Sequence, residues 1–176
     1  MNIRSISMML VFATTALPAF AQSEHVLKGK EITERALVDA LTPPPPRTRS
    51  FAPDLKGSSP VRAPSQAVLI TFETNATTLT PQAERELDIV AGALKSQRLK
   101  TFHFVLEGHA DVRGDHQNNK VLSLGRAEAV RDYLVHSCGV GEDRLEIVGK
   151  GDSEPLNRKD PAAPENRRVN FRTIVD

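Results

Sequence analysis

The chain has 176 residues, a formal net charge of +1 and one cysteine. That length predicts one domain with room for a tail. The near-neutral charge offers no basic field for nucleic acid, and a single Cys138 excludes an intrachain disulfide.

Residues 1–21 read as a secretory signal. Arg4 is the positive start, Ile6 to Ala16 is mostly apolar, and Ala19-Phe-Ala21 ends in a small-x-small cleavage site. The alternative is an uncleaved anchor, but the apolar run is short for a span and ends at Pro18. Cleavage removes Arg4 and leaves the remaining charges balanced.

Residues 22–66 read as a leader. Glu31 to Leu41 places Ile32, Leu37, Val38 and Leu41 near one face of a short amphipathic helix. It is either a weakly ordered element or a docking element for an envelope partner. Pro43-Pro-Pro-Pro46 forbids helix and favours an extended chain. Arg47 to Gln66 holds too little apolar surface to offset the entropy of ordering, which makes it a linker.

The folded domain is expected over 67–176. Val68 to Phe72 is a strand with Val68, Ile70 and Phe72 on one face. Thr80-Pro81 starts a helix, with Thr as N-cap and Pro at the first helical position, and the helix runs to about Gln97. Phe102 to Leu106 is apolar enough for a central strand. A loop follows over Gly108–Asn118, then a helix over Asn119–His136 that Gly139 ends. Leu145 to Val148 is a third strand, Gly149-Lys-Gly151 a turn, and Val169 to Val175 a last strand with one wet face. The order β-α-β-α-β-loop-β predicts an α+β fold, a mixed sheet with its helices on one face.

The chemistry gathers at Gly108-His-Ala-Asp-Val-Arg-Gly114 and the helix after it. Asn119, Leu122 and Arg126 are spaced by three and four and share a helix face bordering the core stripe. Arg126 is therefore expected half-buried, with its stem packed. An acid at a strand end and a guanidinium on the next helix suit a ligand carrying both an ammonium and a carboxylate. The same spacing equally suits a salt bridge that closes the loop onto the helix. His109, Asp111 and His116 lack the Cys or Glu partners of a strong metal site, and His109 is expected to hydrogen-bond locally and orient the turn. No nucleophile–base–orienter set is visible, and an acid neutralised by arginine is a poor general base. Cys138 reads as a small residue packed at a helix end.

Leu106-Glu-Gly-His-Ala-Asp111, Gly114, Asn119, Leu122-Ser-Leu-Gly-Arg-Ala127, Val130, Tyr133-Leu134, Gly139-Val140 and Asn166-Arg-Arg-Val169 together resemble the OmpA-like peptidoglycan-binding domain. That family includes the C-terminal domains of OmpA porins, the Pal lipoproteins and MotB. The resemblance implies non-covalent binding of peptidoglycan through the meso-diaminopimelate residue of its stem peptide, with no enzymatic turnover and no cofactor. It assigns Asp111 to the ligand's amino group and Arg126 to its carboxylate. Asn119 and Leu122 would line the pocket, Thr74 and Asn75 would cover its other side, and Arg167 or Arg168 would lie near it or support its floor. It implies a periplasmic protein associated with the outer membrane. There is no lipid-accepting Cys at the cleavage site and no acid-bearing membrane helix, so the lipoprotein and stator forms of attachment do not apply. Ala110 stands where the family usually has Thr, and Asn118 where it has Tyr; these touch the finer contacts and leave the charge pair alone. The alternatives are a cell-wall enzyme such as an amidase, and a domain of this fold without a ligand.

Overall fold

The computed structural model describes residues 26–44, 63–70, 72 and 76–175. The expected signal segment, the stretch 45–62 and the expected site residues Thr74 and Asn75 lie outside them.

Among the described residues the α-helices and strands are, in chain order, helix α1 (Glu34–Leu41), strand β1 (Ser65–Val68), helix α2 (Pro81–Lys95), strand β2 (Phe104–His109), helix α3 (His116–His136), strand β3 (Leu145–Gly151) and strand β4 (Val169–Thr173). The sheet order is β1-β4-β2-β3. β4 runs antiparallel to both β1 and β2, and β2 is parallel to β3. This is the expected α+β fold with a mixed sheet. Among the described residues no helix is long and apolar enough to cross a membrane.

Alternation explains the layers. Register pairs Leu106 with Phe171 and Phe104 with Thr173, all fully buried under the helices. On the other face Val105 pairs with Arg172 and Glu107 with Asn170, and Arg172 donates to Glu107 at 3.1 Å. The helices supply Leu87, Val90 and Leu94 from α2 and Ala127, Val130 and Leu134 from α3.

Local chemistry sets the helix ends. Thr80 accepts from the Ala83 amide at 3.2 Å with Pro81 next, as expected. α3 begins three residues earlier than its apolar pattern shows, because Asp115 caps it by accepting from the Asn118 amide at 3.0 Å. Its end is a glycine turn: Gly139 has φ +70, and the Val140 amide returns to the Leu134 carbonyl at 2.9 Å.

Three expectations need correction. The first strand is shifted to Ser65–Val68, although Val68 and Ile70 do sit in the core. Gly149-Lys-Gly151 is strand and not a turn. α3 lies directly on the backbone there: a Cβ on Gly149 would meet the Leu124 amide nitrogen at 2.7 Å, and one on Gly108 would meet the Ser123 carbonyl at 2.0 Å. Third, the described residues 26–44 form neither a weakly ordered element nor a free docking face. Leu27 forms a parallel bridge to Val68, and Leu27, Ile32, Leu37 and Leu41 belong to the same core as the sheet. Thr173 donates its hydroxyl to the Leu41 carbonyl at 2.6 Å. The apolar face of α1 is buried in its own domain, and the core begins well upstream of Ala67.

Candidate functional site

The close packing of α3 on the ends of β2 and β3 fixes the site. Past His109 the chain leaves the sheet, with the Ala110 amide donating to the Gly151 carbonyl at 2.8 Å. Ser123 accepts from the Gly151 amide at 2.8 Å and so ties the middle of α3 to the end of β3. The turn after Asp111 folds back onto the first turns of α3. Asn119 holds it there: its side-chain amide donates to the carbonyls of Asp111 and Arg113, each at 3.1 Å, and to Asp152 at 3.3 Å. Asn119 is buried and acts as the pin of the turn. Leu122, one turn on, is part-exposed.

Asp111 is buried, with 6% of its side chain exposed. It does not pair with Arg126. Oδ1 accepts from the Arg113 backbone amide at 3.0 Å, Oδ2 from an Arg113 terminal nitrogen at 2.7 Å, and both oxygens from Arg113 Nε at 3.2 and 3.1 Å. Arg167 adds a 2.7 Å bond to Oδ2. Burial alone would raise the Asp111 pKa, but the hydrogen bonds from Arg113 and Arg167 outweigh it and hold the carboxyl down at about 2. Asp111 is therefore an ionised acceptor throughout the neutral range.

Arg126 is 8% exposed, deeper than the half-burial its spacing suggests. Phe72 and Ala76 lie over it. The guanidinium stacks 5.0 Å from the Phe72 ring centroid, Nε donates to the Ala76 carbonyl at 3.3 Å, and Thr77 packs against the neighbouring Gly125. Burial lowers its pKa first, and Arg167 lowers it further against the pull of Asp111. No carboxylate among the described residues forms a salt bridge with it. The loop-closing salt bridge between Asp111 and Arg126 is thus absent, and among the described residues the terminal nitrogens of this buried guanidinium have no hydrogen-bond partner.

The structure brings Asp111, Asn119, Arg126 and Arg167 together, with Leu122 on the same helix face. Phe72 and Ala76, which flank the undescribed Thr74 and Asn75, both reach Arg126. Arg113 was not anticipated from the sequence. The available signal was Asp followed two residues later by Arg, a spacing that lets the acid accept the second residue's own amide in an Asx turn.

The histidines stand apart. His116 contacts Asp152 at the start of α3. His109 is 2% exposed, and neither ring nitrogen has a hydrogen-bond partner among the described residues; the expected local hydrogen bond is not formed. Burial first, then Arg168 and Lys150 against the opposing Glu154, lower its pKa to about 3. The unfolded chain takes up this proton near pH 6.5 and the folded domain only near 3. Stability therefore falls as pH drops through that window, at most about 1.4 kcal/mol per pH unit. We expect about 2 kcal/mol of loss from this residue between pH 7 and 5. Denaturant melts should show it, and His109→Leu should flatten the slope. An unchanged slope would refute the assignment. Cys138 donates to Asp88 at 3.5 Å, and burial followed by Asp88 pushes its thiol up to about 11, which fits a packed, unreactive residue.

Residues 71–169 match the profile of the OmpA family. The chain is similar to a peptidoglycan-associated lipoprotein of Pseudomonas aeruginosa, 38% identical over 103 residues that cover 57% of this chain and 59% of that protein. It is similar to outer membrane porin F of the same organism, 45% identical over 71 residues, 40% of this chain and 20% of the porin. The solved peptidoglycan-associated lipoprotein of Burkholderia pseudomallei superposes with a TM-score of 0.51 at 30% identity, covering 60% of this chain and 88% of that one. The match spans less than two thirds of the length of the Pseudomonas proteins.

Proposed function

The chain belongs to the OmpA family, and on that premise we propose that its site binds peptidoglycan non-covalently through the meso-diaminopimelate residue of the stem peptide. Relatives named as peptidoglycan-associated lipoproteins support the wall as the ligand. The observation that carries the finer reading is Arg126, a buried guanidinium without a carboxylate partner among the described residues, beside the ionised Asp111. An unpaired buried cation costs several kcal/mol; a ligand carboxylate offsets that cost with a bidentate bond. Diaminopimelate carries an ammonium and a carboxylate on one carbon at the end of its side chain, and the site holds one acceptor and one donor for them.

In this reading Arg126 takes the carboxylate, Asp111 the ammonium, and Arg167 steadies Asp111 from behind. Asn119 holds the turn that presents Asp111, Leu122 gives the apolar flank, and Thr74 and Asn75 are the further ligand contacts that the family resemblance implies. A carboxyl held near pKa 2 is an acceptor and a poor general base at neutral pH, so the site suits retention of the wall and not its cleavage. The protein would act in the periplasm at the outer membrane, tethering or localising an envelope component. The test is co-sedimentation of the purified protein with diaminopimelate-type sacculi. Retention in the pellet that soluble stem peptide competes away is the expected result; protein left wholly in the supernatant would end the proposal.

A further inference from the structure

We propose that Arg113 is a displaceable internal substitute for the ligand's ammonium, and that its departure from Asp111 is part of binding. This rests on the reading of the site given above and extends it to a residue with no assigned role.

A carboxylate offers about four lone-pair positions. At Asp111 they are filled: Arg113 supplies its backbone amide at 3.0 Å, Nε at 3.2 and 3.1 Å and a terminal nitrogen at 2.7 Å, and Arg167 supplies a fifth contact at 2.7 Å. An incoming ammonium cannot simply be added; it must replace a donor. The backbone amide is fixed by the turn, which Asn119 clamps through the carbonyls of both Asp111 and Arg113. Arg167 is the more enclosed guanidinium, with 37% of its side chain exposed. The Arg113 side chain is 66% exposed, and among the described residues it bonds Asp111 alone. It can swing into water, recover its hydration and leave the backbone of the turn in place.

The arrangement keeps the buried Asp111 satisfied in the free protein and makes the ligand compete for it. Only a group that donates hydrogen bonds and carries positive charge replaces Arg113 without leaving Asp111 short of partners. A carboxylate-bearing ligand whose amine is acylated can reach Arg126 but cannot displace Arg113.

The experiment measures calorimetric affinity of wild type and Arg113→Gln for two ligands. One is an L-Ala-γ-D-Glu-diaminopimelate tripeptide with its side-chain amine free; the other is the same peptide N-acetylated there. Melting curves run alongside confirm that the exposed substitution leaves the domain folded. Displacement of an exposed ion pair weighs little, so we expect Arg113→Gln to bind the free-amine peptide about two- to five-fold tighter and the acetylated peptide no tighter. Equal or weaker binding of the free-amine peptide overturns the inference, and so does tightening of both peptides by the same factor. If wild type binds neither peptide, the diaminopimelate reading itself fails and takes this inference with it.

Discussion

Arg126→Ala should bind diaminopimelate stem peptide at least about thirty-fold more weakly than wild type while melting within a few degrees of it. Losing one partner of a buried charge contact typically costs about 2–5 kcal/mol in affinity, and about 1.4 kcal/mol is tenfold. The fold should tolerate the change because Arg126 closes no ion pair among the described residues. The stack on Phe72 and the bond to Ala76 are lost, and a buried unpaired charge is relieved in exchange. Asp111→Ala should behave differently. It removes the acceptor for Arg113 and Arg167 together, so both affinity and melting temperature should fall. Arg126→Lys should also bind poorly, since a point charge does not reproduce the planar fork. Calorimetry beside circular dichroism melts separates the two variants. A stable Arg126→Ala that binds at wild-type strength would remove Arg126 from the site.

Leu37→Ala should destabilise the domain by about 2–5 kcal/mol, the range for deleting a fully buried leucine side chain. Leu37 is 0% exposed on α1 and lies in the same core as Val68 and Leu87. A substitution in a loosely attached leader would leave the melting curve of the remaining domain unchanged, so urea unfolding of the single variant decides the matter. A midpoint equal to wild type would show that α1 does not contribute to stability.

α1 shows where the sequence is ambiguous. Its apolar spacing was legible, but a stripe of Ile32, Leu37, Val38 and Leu41 looks the same whether it meets a partner or its own domain. The choice is made by tertiary contacts from Leu27, Thr173 and α2, which local periodicity does not encode. α2 and the end of α3 were legible because Thr80-Pro81 and Gly139 act through local backbone chemistry. The start of α3 was blurred because His116 to Asn118 are polar and its cap, Asp115, precedes any apolar repeat. Gly149 and Gly151 resembled turn residues; they are strand residues made small by the approach of α3, a contact between distant segments.

At the site, the spacing of Asp111 and Arg126 located the right neighbourhood. It left open whether the two groups bond each other, since sequence distance does not fix side-chain direction. The answer lies in Arg113 from the same turn and Arg167 from before β4, which occupy the carboxylate, and in Phe72, on which the Arg126 guanidinium stacks. Neither effect has a periodicity to read.

In the proposed binding mode one site receives an ammonium and a carboxylate borne on the same carbon. The most direct test of that mode is to titrate the purified protein by calorimetry with two stem tripeptides, one ending in meso-diaminopimelate and one in lysine. The lysine peptide keeps the side-chain ammonium and lacks the carboxylate. If Arg126 holds that carboxylate, the diaminopimelate peptide should bind about thirty-fold more tightly or better. Equal affinity for the two peptides would contradict the claim.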